Sequence, residues 1–420
     1  MNMLGLDQVK AQLARQVAHW SIAASELSDL SRLASNVGWR SLERYLGVAI
    51  EKSLRESVVH LNREANALEA ELAAADTPER VQKLHSELIA FRGRFLAVEK
   101  QLDFYGDAVN SRTDERLGTY LRACDTLAFR AMDTVLRPLG RRPPPVLTYF
   151  EPGLGASILK ADLPLWDSRT RSPVAAIKIV RHNLYRPTST LHECGHQLAA
   201  LLDWNDELAK LLLKRLARHG ESLAEQWSSW ASESAADCFA FAHTGYAAVA
   251  ALCDVLSGHS DWVFQHVPGD PHPVGYLRIL LGCAMCVRFF GSGAWDDLAR
   301  AWVRMYPTGN ARGEMVDIVR RSTDLLPEIV ELMFFEPMRA FGGQCLADAI
   351  NPAHVKPEAL KQLEGSAGAA LFVSDYWISK ECLRLVALSG LRATAPGQMR
   401  AVLRQQEQWM LRLGTIVAAA

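Results

Sequence analysis

The pentapeptide His192-Glu193-Cys194-Gly195-His196 has the residue types and the HExxH spacing that suit metal chemistry. Residues four apart lie one above the other on a helix face, and the leucine-rich run that continues to Leu202 is typical of a helix. Both imidazoles can therefore reach one metal ion, and Glu193 projects close enough to take a proton from a water held by that ion. The alternative is a surface helix that carries two unrelated histidines.

A catalytic zinc ion needs a third protein ligand and one open position. A third histidine six residues after His196 is absent, because Leu202 stands there. The segment 227–241 is predicted to be an apolar helix with Glu233 and Asp237 four apart on one face. Buried carboxylates are costly unless they meet a cation or hydrogen-bond donors. Glu233 is therefore predicted to bind Zn²⁺, and Asp237 to accept the N–H of a ligating histidine and fix its tautomer. Two solvated acids on an amphipathic helix are the alternative.

HExxH followed by a helix with ExxxD resembles the gluzincin class of zinc metallopeptidases, which implies these same roles for Glu233 and Asp237. Segment 270–279, Asp-Pro-His-Pro-Val-Gly-Tyr-Leu-Arg-Ile, is similar to a motif of the HtpX-type and CAAX-processing membrane endopeptidases. That resemblance implies that His272 and Arg278 lie in the cleft and help to hold the substrate or the developing oxyanion. It covers about residues 190–280. Those enzymes are anchored by transmembrane helices and this sequence has none, so we expect a soluble, divergent gluzincin.

Hydrolysis of a peptide bond produces an oxyanion that needs a donor besides the metal. The candidates are His272, Tyr276 and Arg278, in that order. Arg278 could instead clamp a substrate carboxylate or hold Glu233 in place. His272 could be an ordinary loop histidine that caps a helix starting near Val274.

Composition limits the class of protein. At 420 residues the chain exceeds the usual limit of one hydrophobic core, and 49% apolar residues suffice for a packed interior. A formal net charge of −1 predicts neither nucleic-acid nor membrane-surface binding. No signal peptide or membrane span is visible, and eight scattered cysteines do not suggest a disulfide framework. We expect a cytoplasmic, reduced protein.

The predicted fold is mainly α with a small β-sheet (α+β), a zincin-like catalytic domain flanked by helical regions. Heptad-spaced apolar residues on both sides of Asp76-Thr77-Pro78 predict an antiparallel, coiled-coil-like helical hairpin over about residues 47–105. A further helix is expected over 114–136, and strands over 156–163 and 174–180. The strands would offer an edge to an extended peptide. The predicted domains are residues 1–140, 141–325 and 326–420.

We therefore predict a zinc-dependent endopeptidase of narrow specificity that acts on a peptide or protein substrate. Its catalytic residues would be Glu193, His272, Tyr276 and Arg278, its metal ligands His192, His196 and Glu233, and its supporting residue Asp237. The hairpin could be a scaffold, which we favour, or an arm that binds a protein partner. The competing hypothesis is a helical interaction protein whose peptidase-like metal site does not turn over.

Overall fold

The computed structural model describes residues 3–153, 155–311 and 315–418. Helices form most of it, and the predicted mainly α fold with a small sheet is confirmed. The helices are α1 (Met3–Glu26), α2 (Asn36–Arg40), α3 (Arg44–Ala74), α4 (Pro78–Asn110), α5 (Glu115–Leu136), α6 (Thr188–Leu201), α7 (Trp204–Leu216), α8 (Glu221–Ser229), α9 (Ala231–Thr244), α10 (Tyr246–Leu256), α11 (Ser260–Val263), α12 (Gly275–Phe290), α13 (Ala294–Met305), α14 (Met315–Phe335), α15 (Leu346–Ala349), α16 (Pro357–Ala367), α17 (Asp375–Ala393) and α18 (Met399–Ala418). The strands are β1 (Val146–Phe150), β2 (Ser157–Leu159) and β3 (Ala175–Ile179).

The sheet has the strand order β1-β3-β2. Strands β2 and β3 lie within the two predicted segments but are shorter than those segments. Strand β1, which follows Arg141-Arg142-Pro143-Pro144-Pro145, was not predicted. Because β3 is central, both of its sides are already paired, and the edges that remain belong to β1 and β2.

The predicted hairpin consists of α3 and α4, which pack against each other around a three-residue connection. The Thr77 side chain caps α4 by accepting a hydrogen bond from the Arg80 backbone N–H, and Pro78 occupies the first turn. The heptad-spaced apolar residues of both helices are buried, apart from the half-buried Leu72. Helix α1 packs on α3 and α4, so part of the hairpin's apolar surface lies against the protein itself. That packing favours the scaffold role, and a partner-binding role remains a prediction.

The chain divides into two compact units, one of residues 1–118 with 159–176 and the other of residues 119–158 with 177–420. Within the first unit, the segment 159–176 is fixed to the hairpin: Ser172 Oγ lies 2.9 Å from the Tyr105 hydroxyl, and Thr170 Oγ1 lies 3.0 Å from Ser57 Oγ. The domain boundaries near residues 140 and 325 remain predictions.

The second unit contains the helices that carry the HExxH and ExxxD motifs. Helix α6 begins at Thr188 and carries both histidines, and α9 packs on it. The prediction of a single helix over 227–241 was wrong in one respect, because this segment is divided between α8 and α9 at Trp230. The Trp230 backbone leaves the helical region (φ −88°, ψ 3°), and its indole is fully buried. The break places Glu233 in the first turn of α9.

Two further expectations concern the chemistry of the interior and the surface. All eight cysteines are buried, and a reduced, cytoplasmic protein remains a prediction. Within the described residues, no helix combines the length and the apolar character that crossing a bilayer demands.

Candidate metal centre

Helix α6 presents His192 and His196 on one face, one turn apart, as the i, i+4 spacing predicts. Their rings meet edge to face with centroids 4.8 Å apart, and each Nε2 atom points towards Glu233. His192 Nε2 lies 3.3 Å from Glu233 Oε2, and His196 Nε2 lies 3.1 Å from Glu233 Oε1. The two histidines therefore converge on one carboxylate from another helix.

The glycine inside the pentapeptide allows this convergence. A β-carbon at Gly195 would lie 2.7 Å from the Ala236 Cα atom and 3.1 Å from Phe239 Cβ. The absence of a side chain lets the backbones of α6 and α9 approach closely. Ala236 lies three residues after Glu233, so this contact sets the distance between the histidine pair and the acid.

His192, His196 and Glu233 together form a group whose ligand atoms all lie within 4.8 Å of one another. A tetrahedral ion with bonds of about 2.0–2.1 Å separates its ligand atoms by about 3.4 Å, which is close to the two measured separations. The Glu233 Oε2 atom is buried and accepts no well-aligned hydrogen bond, although a buried carboxylate oxygen needs a donor or a cation. The donor set of two imidazoles and one carboxylate therefore fits a divalent metal ion.

Asp237 and Arg278 support this group from behind. His192 Nδ1 lies 2.9 Å from Asp237 Oδ1, a pairing that leaves Nε2 directed at the metal position. Arg278 donates to Asp237 through Nε at 2.9 Å and Nη2 at 2.7 Å, and its Nη2 also lies 3.5 Å from Glu233 Oε2. The structure thus brings all four predicted residues together and places Arg278 against the supporting acid.

Charge pairing governs the protonation of this buried cluster. Burial raises the pKa of Asp237, but the Arg278 charge and the hydrogen bond from His192 outweigh it and lower that pKa to about 2. Burial likewise opposes ionisation of Glu233, yet its two histidines and Arg278 hold its pKa well below the ordinary value. Burial would lower the pKa of His192, whereas the adjacent Asp237 and Glu233 carboxylates raise it to about 10. Both acids are therefore charged at neutral pH, and an ion that bound to His192 would have to displace its proton.

Glu193 occupies a different environment from the other acids. Glu193 is buried and lines the cavity beside the metal group. Its carboxylate forms no hydrogen bond or ion pair with the described part of the chain. Burial raises its pKa, and the charges of His192 and His196 oppose that rise. A carboxylate with no protein donor, next to a metal position, can accept a proton from water in the cavity.

His272 lies at the edge of this group, in the loop before α12. Its Nε2 atom lies 3.4 Å from Glu233 Oε1, and its side chain remains 55% exposed. Asp270 holds it, because the Asp270 Oδ1 atom accepts from the His272 backbone N–H at 2.9 Å and pairs with its Nδ1. The His272 side chain does not cap α12, so the loop-capping alternative is not supported.

Tyr276 is not brought to the site. Its ring is buried in a stack with Phe264, with centroids 4.9 Å apart, and it is not part of the cavity wall among the described residues. The structure thus gives no support to Tyr276 as an oxyanion donor.

Two residues at the site were missed in the sequence. Ser232 Oγ lies 3.4 Å from His196 Nδ1, on the side of the ring opposite the metal position. Asp270 orients His272. The signal for Asp270 was present, since it stands two residues before a histidine and can form an Asx turn. Ser232 gave no signal, because a serine beside a glutamate on a helix is unremarkable until the partner helix is placed.

The metal group opens into a cavity of about 590 Å³. His192, Glu193, Glu233, Asp237, His272 and Arg278 line it together. Gly155 and Ala156, which directly precede the edge strand β2, also form part of its wall. The cavity wall therefore includes residues of the metal group and the two residues that precede β2.

No protein-family model matches this chain, and neither a curated protein nor a solved structure matches it.

Proposed function

We propose that this protein is a zinc-dependent endopeptidase in which His192, His196 and Glu233 hold the ion. One observation carries the proposal: three metal donors converge, and two of them, His192 and Glu233, line the same cavity as Glu193, whose carboxylate has no hydrogen-bond or ion-pair partner in the described chain. A metal site that served folding alone would not require such an acid beside it. The alternative is a helical binding protein with a non-catalytic metal site, and the experiment below separates the two.

When bound, zinc would supply a Lewis acid that polarises the scissile carbonyl and acidifies water. Glu193 would accept a proton from water in the cavity at its carboxylate and pass it to the leaving nitrogen. Its raised pKa brings its basicity closer to that of neutral solution, which favours both transfers.

The remaining residues position these groups or stabilise charge. Asp237 orients His192, and Arg278 holds Asp237 and compensates its buried charge. His272 is our candidate donor to the oxyanion, because Asp270 holds its Nδ1 and its Nε2 lies on the side of the metal group. Arg278 is a positioning residue in this account, since both of its hydrogen bonds go to Asp237.

An extended peptide could align with the edge of β2, whose preceding residues form part of the cavity wall. We therefore propose peptide or protein substrates and no nucleic acid. Narrow specificity and a cytoplasmic location remain predictions.

The test compares wild type with Glu193→Gln in zinc content and in cleavage of a peptide library. Gln keeps the size of the side chain and removes its basicity, so both proteins should bind zinc and only wild type should cleave. Glu225→Gln, an exposed acid on α8, is the matched control and should behave as wild type. If zinc-loaded wild type and Glu193→Gln are equally inactive on every peptide, the binding-protein alternative replaces this proposal.

A further inference from the structure

The cavity has a polar end and an apolar end. The polar end consists of His192, Glu193, Glu233 and Asp237 with His272 and Arg278. Helices α9, α10, α11, α12 and α18 contribute mainly aliphatic and aromatic residues to the rest of the wall, apart from Asp254, and the segment 182–189 contributes polar residues. Ligand cavities commonly measure about 300–1,000 Å³ and combine apolar walls with a few polar groups, as this one does at about 590 Å³.

Small side chains create the room at the apolar end. Ala240 on α9, Ala248 and Ala251 on α10 and Gly282 on α12 all line the cavity. Larger residues at the three alanine positions would occupy part of this space. A β-carbon at Gly282 would instead lie 2.9 Å from the Val249 side chain, so this glycine lets α10 and α12 approach closely. The volume thus depends on individual residues of this chain and can be reduced by single substitutions.

Exposed apolar residues stand around the same cavity. Val255, Trp262 and Met399 all line it and are 43%, 53% and 39% exposed. Large apolar side chains left in contact with water at the wall of one cavity indicate that an apolar group covers them in the bound state.

The charged residues beyond the metal group do not offer a site for a charged ligand. Arg186 and Asp254 both line the cavity and form an ion pair with each other. Arg186 Nη2 also lies 3.4 Å from the Met399 sulfur. A charged side chain that entered the apolar end would lose its hydration. Arg186 and Asp254 would not replace that hydration, because each already neutralises the charge of the other.

We propose that the apolar end, bounded by Ala240, Ala248, Ala251 and Met285, binds a large apolar side chain of the substrate and selects peptides that carry one. This inference rests on the proposed function, because the metal group defines which bond lies at the polar end. The occupant is a peptide side chain, since the apolar end is continuous with the metal group and with the residues that precede β2. Leucine, methionine or phenylalanine fits this chemistry.

The experiment measures binding and cleavage separately. Fluorescein-labelled peptides with a Gly-Ser background carry one variable residue, Phe, Leu, Gly or Asp. Their binding to zinc-loaded and metal-free Glu193→Gln protein is followed by fluorescence anisotropy, and their cleavage by wild type is followed by chromatography. We expect the Phe and Leu peptides to bind at least about tenfold more tightly than the Gly or Asp peptides.

Variants locate the preference in the apolar end. Ala251→Phe fills the cavity from α10 and should remove the preference for Phe. Ala248→Leu does the same with a smaller change and serves if Ala251→Phe fails to fold. Ala301→Phe, on the exposed face of α13, is the matched control and should leave the preference unchanged.

The outcomes separate this inference from the proposed function. Preferential binding of apolar peptides without any cleavage would support the apolar end and contradict the peptidase. Cleavage that is independent of the variable residue would support the peptidase and overturn the apolar selection. Equal binding of all four peptides, or a preference unchanged by both cavity-filling variants, would also overturn it.

Discussion

Asp237 and Arg278 form a buried two-point ion pair, with Arg278 Nε 2.9 Å from Oδ2 and Nη2 2.7 Å from Oδ1 of Asp237. The same Asp237 Oδ1 atom lies 2.9 Å from His192 Nδ1. One carboxylate therefore joins the guanidinium on α12 to a metal-directed imidazole on α6. Because Arg278 also lies 3.5 Å from Glu233 Oε2, its charge compensates both acids of α9.

Replacing Arg278 with methionine should destabilise the protein. The substitution keeps an unbranched side chain but leaves the buried Asp237 and Glu233 carboxylates with His192 as their remaining nearby cation, and breaking a buried ion pair typically costs about 3–5 kcal/mol. The free energy of unfolding, measured in urea on metal-free protein, gives this loss directly.

Arg288→Met is the control for that measurement, because Arg288 lies on the same helix but forms a surface ion pair with Glu331. Such exposed pairs contribute about 0–1 kcal/mol. Equal effects of the two substitutions would show that the Arg278 charge is not needed to compensate the acids.

Gly195→Ala should weaken metal binding as well as stability. Its β-carbon would lie 2.7 Å from backbone atom Cα of Ala236, so α6 and α9 must move apart and separate the histidines from Glu233. We expect a destabilisation of about 1–3 kcal/mol and roughly tenfold weaker zinc binding, measured with a competing chelator.

Gly93→Ala makes the same chemical change, but it should stabilise the protein instead of destabilising it. Gly93 lies on an exposed position of α4, and nothing lies within 4 Å of the β-carbon it would gain. Alanine there should stabilise the helix by about 0.5–1 kcal/mol and leave zinc affinity unchanged. Unaltered zinc affinity in Gly195→Ala would contradict the role given to the close approach of α6 and α9.

Buried His243 should make stability depend on pH. Burial lowers its pKa from 6.5 to about 4, and a backbone hydrogen bond with Ala131 opposes this only in part. Between pH 6.5 and 4 the unfolded chain therefore binds more protons at this residue, and stability falls as the pH falls. Because of this residue, the free energy of unfolding above pH 6.5 should exceed that below pH 4 by about 3 kcal/mol.

His243→Gln removes the titrating ring, so its unfolding free energy should decrease less than that of wild type between pH 7 and pH 4.5. Urea unfolding at several pH values measures the difference. His85→Gln, a histidine on the exposed side of α4, controls for the loss of a histidine as such. Parallel pH curves for wild type and His243→Gln would refute this account of His243.

Short-range periodicity made much of the site predictable. Both HExxH and ExxxD place their residues four apart, and in a helix that spacing fixes which side chains share a face. Burying the Glu233 and Asp237 carboxylates costs free energy unless they are paired, which implied a cation for one and a hydrogen-bond donor for the other. The heptad pattern predicted the hairpin for the same reason, because it specifies which face of each helix is apolar.

Contacts between segments that are far apart in the sequence were harder to predict. The position of Arg278 followed from a resemblance, and its bonds to Asp237 depend on how α12 packs beside α9. The helix break at Trp230 was missed because no proline or glycine marks it in the sequence. Strand β1 was missed because four apolar or aromatic residues and one threonine after a proline run do not reveal the sheet they join.

The most direct test of the central claim is the zinc content of the purified protein after dialysis, measured for wild type, Glu233→Ala and Glu225→Ala. Three ligands from α6 and α9 predict about one zinc ion per chain in wild type and in the exposed-acid control Glu225→Ala. They predict loss of that zinc in Glu233→Ala, with the helical content unchanged by circular dichroism. Full zinc occupancy in Glu233→Ala would contradict the metal centre described above.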